Sequence, residues 1–292
     1  MSQPATSSPD IIEIQPCTEE GLVTLEAKLG GKEEQEMLDP VLLCRYLNAT
    51  PVFEKPRCSP EMGYGMLEKD GRKIHAFKTG KVIVRRAEGR EQALGHLRLV
   101  SRTVWPAVRV NGGDALVVCL VREGGCANFL APPADGGQLS ASVPLRAALE
   151  KAGRLPQWRY IEESLAAQRD IARACQAAGL LKSPGEAFRR AESPALRFLC
   201  EVEDAAAASA GIVVLSLSLA LEKASCAFER LGAEGRSSLW RRTMEAFEAV
   251  AAGASEKAGA LKRELEEEGK RWGTEVSAPL SMVMLLGVKL PA

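Results

Sequence analysis

The chain has 292 residues, 46% of them hydrophobic, and 38 basic side chains against 38 acidic ones. That much apolar surface excludes a wholly disordered chain and allows two domains of ordinary size. The charge is uneven: residues 1–39 carry two basic and nine acidic side chains, residues 40–110 fourteen and six, and residues 151–280 nineteen of each. A basic segment in a neutral chain suits an anionic partner, nucleic acid or membrane surface, or else a solvated face balanced by the acidic N-terminus.

Met1 to Asp10 is polar and carries no secretory leader, and residues 1–19 are expected to form a flexible N-terminus. Eight cysteines without such a leader, and without any Cys-x-x-Cys, predict reduced thiols in a cytoplasm. Two histidines and no cysteine pair argue against a structural zinc site.

Leu22 to Leu29 alternates apolar and polar residues, as a half-buried strand does, and Gly30-Gly31 ends it. Glu33 to Tyr46 carries a helical stripe of Met37, Val41, Leu42 and Tyr46, disturbed by Pro40. Asp70-Gly71 marks a hairpin with a type I′ turn. Strands over Lys73–Lys78 and Lys81–Arg86 flank a second turn at 78–81. Glu88 to Val104 is then a helix with Ala93, Leu97, Val100 and Val104 on one side, ended by Trp105-Pro106. These elements predict an α+β fold: a curved antiparallel sheet with two helices on one face, over residues 20–130 with the extra strands that follow.

Alternation assigns the faces of that sheet. Val23, Leu25, Ala27, Leu29, Ile74, Ala76, Val82 and Val84 form the apolar side on which helices sit. The other side carries Thr24, Glu26, Lys28, His75, Phe77, Lys81, Ile83 and Arg85.

Order and motif resemble a single repeat of the TATA-binding-protein fold over roughly residues 20–108. Ala76-Phe77-Lys78-Thr79-Gly80-Lys81-Val82-Ile83-Val84 is similar to that family's strand–Gly-Lys–strand motif, and the helix from Glu88 falls where its long second helix falls. In the family the concave face opens the DNA minor groove and wedges Phe between bases. The resemblance implies that Phe77 stands at one wedge and that His75, Lys81, Ile83 and Arg85 face the groove. The chain departs from the pattern in three respects. No Phe lies near Glu61 and Met62, Glu26 places an acid on the face, and residues 110–292 hold no second repeat. The resemblance therefore does not extend to TATA-box recognition or strong kinking, which need the two-repeat saddle. Binding of a nucleic acid by one sheet remains, with basic residues on phosphates and Phe77 or Tyr64 stacked on a base.

Ala115 to Val121 reads as a buried strand, with Cys119 and Cys126 on paired strands, and 131–142 as a linker. From 143 to 292 the pattern is helical. Helices are expected over Trp158–Ala178, from Ser183-Pro184 to Ala191, and from Ser193-Pro194 to Leu231 with a break near Gly211. The next is capped by Ser237 or Ser238 and continues toward Lys270. Ala278 to Leu290 reads as a strand or buried tail. Ala205 to Leu221 has seventeen residues without a charge, which fits the buried centre of a helical bundle better than a membrane span.

No phosphate-binding loop, dinucleotide fingerprint, zinc-protease or nucleophile-elbow motif occurs, so no cofactor or metal is expected. Three functions follow from the residues. The first is a binding protein for nucleic acid or another anion, using His75, Phe77, Lys81, Ile83, Arg85 and Lys28. The second is an interaction protein whose sheet face docks its own helical domain, a protein partner or a second copy. The third is an enzyme with a small-molecule pocket between the two parts, using Cys58, His75 or Arg57.

Overall fold

The computed structural model describes residues 12–16, 21–28, 37–110, 113–114, 145–178, 184–229 and 233–251, with positions 264 and 267. Strands β1 (Ile12–Pro16), β2 (Leu22–Lys28), β3 (Glu54–Ser59), β4 (Tyr64–Lys69), β5 (Arg72–Phe77) and β6 (Lys81–Glu88) form one antiparallel sheet. Its order is β1-β2-β6-β5-β4-β3. Helix α1 (Pro40–Ala49) lies against β3 and β4, and α2 (Gly89–Val104) against β2 and β6. The expected α+β fold with a helical part is therefore observed. Strand β1 corrects the expectation of a flexible N-terminus for residues 12–16. They pair along β2 from Ile12↔Ala27 to Pro16↔Val23.

The hairpins follow from turn chemistry. Asp70 and Gly71 both take positive φ, 53° and 72°, the type I′ geometry that matches strand twist. Pro40 does not interrupt a helix but opens one. Asp39 caps α1 by accepting from the Val41 and Leu42 amides at 2.9 and 3.0 Å, and proline at the first turn needs no partner for its missing N–H.

The helical part comprises α3 (Leu145–Ala152), α4 (Trp158–Ala178), α5 (Pro184–Ala191), α6 (Ser193–Glu201), α7 (Ala205–Glu229) and α8 (Ala233–Ala251). The expected break near Gly211 falls instead at Val202–Asp204, where Asp204 accepts from the Ala207 amide at 2.8 Å and starts α7. Gly211 lies inside α7 at a close approach: a Cβ there would stand 2.7 Å from Leu199 Cδ2. Helix α8 begins at Ala233, ahead of the expected serine caps. Strand β7 (Arg109–Val110) pairs with β8 (Gly113–Asp114). The strand expected at 115–121, Cys119, Cys126, the 131–142 linker and the 278–290 tail lie outside the described residues.

From Ala207 to Leu221 helix α7 carries no charge and every residue is buried, so this stretch is central. The segment Ala206–Cys226 is long and apolar enough to cross a membrane, yet 83% of its most apolar window is buried inside the protein. Its hydroxyls are satisfied: Ser216 donates to the Ile212 carbonyl of its own helix at 2.8 Å, and Ser218 to the Phe188 carbonyl of α5 at 2.7 Å.

The bundle stacks on the outer side of the helix layer. Helices α6 and α7 pack on α2, and α7 also on the Trp105–Ala107 turn. One contiguous apolar core runs from the sheet through α1 and α2 into the bundle. Two arginines join the layers. Buried Arg102 donates to the carbonyls of Val202 and Glu203, at 2.7 and 3.0 Å, at the C-terminal end of α6. Arg45 of α1 grips Glu192 with two nitrogens, at 2.7 and 3.1 Å, and also pairs with Glu222 of α7. Tyr46 Oη lies 3.4 Å from Glu192, and Arg189 3.6 Å from Glu222. Burial pushes the Glu192 carboxyl up to about 7 despite Arg45, which divides its charge between two carboxylates.

A Cys44–Cys58 disulfide ties α1 to edge strand β3, with a Cα separation of 5.3 Å. It corrects the expectation that all cysteines are reduced. The packing of α1 on β3 brings the two sulfurs together, and a spacing of fourteen residues gave no sign of it. Among the described residues, Cys175, Cys200 and Cys226 are in no disulfide.

Candidate ligand-binding face of the sheet

Alternation decides which side chains leave the core. Leu25, Ala27, Leu67, Ile74, Ala76, Val82 and Val84 are buried beneath the two helices. Thr24, Glu26, Lys28, Tyr64, Met66, His75, Phe77, Lys81 and Ile83 are half-buried on the other side, and Arg57, Lys73 and Arg85 are exposed there. All six residues singled out by sequence, Lys28, His75, Phe77, Lys81, Ile83 and Arg85, thus share the outward face.

Register arranges that face in rows. Arg57, Met66, His75, Ile83 and Glu26 line up across the sheet. Toward the 78–80 turn comes a row with Ser59, Tyr64 and Phe77, and beyond it on β6 and β2 Lys81 faces Lys28. On the other side lie Glu68, Lys73 and Arg85. Strand β6 carries a bulge: Val84 and Ala87 both face the core, and Arg86 sits between them at φ 59°. The extra residue leaves Arg85 and Arg86 both exposed.

The aromatic centre is ordered. Tyr64 and Phe77 have ring centroids 5.0 Å apart, and Tyr64 and His75 5.9 Å apart. Tyr64 Oη lies 2.6 Å from His75 Nδ1, while the Nε2 atom has no hydrogen-bond partner among the described residues. Burial first, then the charges of Arg85 and Lys73, hold His75 below the usual imidazole range, so the ring is neutral at pH 7. A neutral ring bonded at Nδ1 keeps Nε2 as its remaining polar atom.

The charges divide unequally. Lys81, expected to face a ligand, forms an ion pair with Glu26, so its charge is largely balanced within the sheet. Lys55 holds Glu68 at 2.9 Å. Lys73 and Arg85 stand directly opposite each other, and among the described residues neither forms an ion pair. Like charges in that position destabilise a sheet, so an anion set against them is favoured.

Tyr64 was legible as a stacking residue, but its place beside Phe77 was not drawn from the sequence. The Asp70-Gly71 turn could have supplied it: a two-residue loop pairs Lys69 with Arg72 and, counting outward, Tyr64 with Phe77. Nothing in the sequence signals the bulge that exposes Arg86. Of the residues suggested for catalysis, Cys58 is bound in the disulfide and Arg57 is exposed on β3. No group of three or more metal-ligating side chains occurs among the described residues. Comparison with protein-family models, curated proteins and solved structures gave no match.

Proposed function

We propose that the outward face of the sheet binds nucleic acid or another polyanion, and that residues 20–108 are a single repeat resembling the TATA-binding-protein fold. The observation that carries this is a sheet face that no described helix covers. The described helices pack on the opposite side, through α1 and α2, while Tyr64, His75 and Phe77 meet solvent beside the like-charged Lys73 and Arg85. The order strand, helix, strand, two hairpins, helix supports the resemblance. With one such repeat and one wedge position, Phe77, among the described residues, the proposed function does not include duplex kinking.

Titration of a labelled oligonucleotide at low and raised salt tests it. Binding should weaken as salt rises, by about 0.7–0.9 in log affinity per decade of salt for each phosphate contacted. Joint Lys73→Glu and Arg85→Glu substitution should abolish it. Binding indifferent to both salt and substitution would contradict the proposal.

A protein partner or a second copy on the same face is the second reading. It is favoured by Met62, 73% exposed in the turn leading into β4, and by Met66 and Ile83 in the middle row. Light scattering decides it: a dimer dissociated by Ile83→Lys supports that reading, and a monomer at every concentration removes self-association. A cytoplasmic location goes with a nucleic-acid ligand. The Cys44–Cys58 disulfide stands against it, because such bonds persist chiefly in oxidising compartments. Thiol counting after native lysis separates the two.

A further inference from the structure

The outward face is divided along its strands. Its cations Lys73 and Arg85 occupy one row, with Arg86 exposed at the adjoining bulge, and its rings Tyr64 and Phe77 another, with His75 and Ile83 between. Lys73 and Phe77 are four residues apart on β5, about 13 Å at the rise of a strand. Both rows run across the strands, so the face offers a cationic band and an aromatic band side by side.

We infer that the ligand is a single strand of DNA or RNA lying across β4, β5 and β6, with phosphates over Lys73 and Arg85 and bases on the Tyr64–Phe77 pair. The inference rests on the nucleic-acid reading of this face. A duplex satisfies only half of it, because a duplex sets phosphates against cations but keeps its bases stacked inside, out of reach of the rings. Unpaired bases offer π-faces that ring planes can cover. The cationic band serves one backbone: Lys73 and Arg85 stand opposite each other, and Glu68 at the β4 end of the same row is shared between Lys55 and Lys73. His75 lies between the two bands, with its Nδ1 atom held 2.6 Å from Tyr64 Oη. An acidic polypeptide would use the cations and leave the rings idle.

Anisotropy with labelled oligothymidylate, alone and annealed to oligodeoxyadenylate, tests this on the full chain. The single strand should bind at least about tenfold more tightly than the duplex. Tyr64→Leu with Phe77→Leu keeps apolar bulk but removes the π-faces. It should weaken binding about tenfold or more and leave the salt slope unchanged. Tyr64→Phe, which keeps the ring, should retain binding. Lys73→Ala with Arg85→Ala should make the salt slope shallower by about 1.4, two contacts at about 0.7 each. Circular dichroism checks that each variant is folded. A duplex bound as tightly as the single strand, or a neutral leucine pair, would overturn the inference while the nucleic-acid reading stands. Displacement by polyglutamate as readily as by unlabelled oligonucleotide would assign the face to an acidic polypeptide. Failure of every oligonucleotide to bind would remove the nucleic-acid reading itself.

Discussion

Glu192 tests how the α/β part is joined to the bundle. Its carboxylate is 2% exposed, shares Arg45 with Glu222, and titrates at about 7 against an ordinary 4.5. The folded state therefore holds this proton more tightly than the unfolded chain. The stability it contributes is fully present below pH 4.5 and is lost as pH rises through about 7. At about 1.4 kcal/mol per pH unit, ionisation of the buried group costs the fold about 3 kcal/mol. Glu192→Gln preserves the shape and an acceptor for Arg45 but removes the titration. Urea unfolding of both proteins at about pH 5 and about pH 8 isolates the effect, since titrating groups not coupled to Glu192 cancel in the difference. The wild type should lose about 2–3 kcal/mol relative to the variant between those conditions. An equal difference at both pH values, or a wild type that gains on the variant as pH rises, would falsify the claim that burial outweighs Arg45 here.

Two further substitutions probe the same junction. Arg102→Met removes two charge-assisted hydrogen bonds and leaves the Val202 and Glu203 carbonyls without that donor, so unfolding free energy should fall by about 2–3 kcal/mol, measured by denaturant titration. Gly211→Ala gains helix propensity of about 1 kcal/mol but drives a Cβ to within 2.9 Å of Leu199 Cγ and Phe198 Cδ1. Overpacking of about 1–3 kcal/mol should match or exceed that gain, so the melting temperature should not rise. A clear rise would show that α6 and α7 have room to part.

The sheet was readable because two signals agreed. Alternation sorted Ile74, Ala76, Val82 and Val84 from His75, Phe77 and Ile83, and Asp70-Gly71 closed the hairpin that holds them. What escaped was long-range or local in ways composition does not register. Pairing of Ile12–Pro16 with β2 depends on a partner rather than on local propensity. Pro40 reads as a breaker unless Asp39 is recognised as the cap before it. The Lys81–Glu26 pair and the Cys44–Cys58 bond join separate elements, so only the fold brings their members together. The Lys73↔Arg85 opposition follows from register alone, and no residue type announces it.

Photo-crosslinking of a bound oligothymidylate, with the adducts located by mass spectrometry, tests the central claim most directly. The expected adducts fall on the outward side chains of β4 and β5, foremost Tyr64, His75 and Phe77, and vanish when excess unlabelled single strand competes. Adducts confined to the helical elements α3–α8, or none above a denatured control, would contradict the assignment of this face.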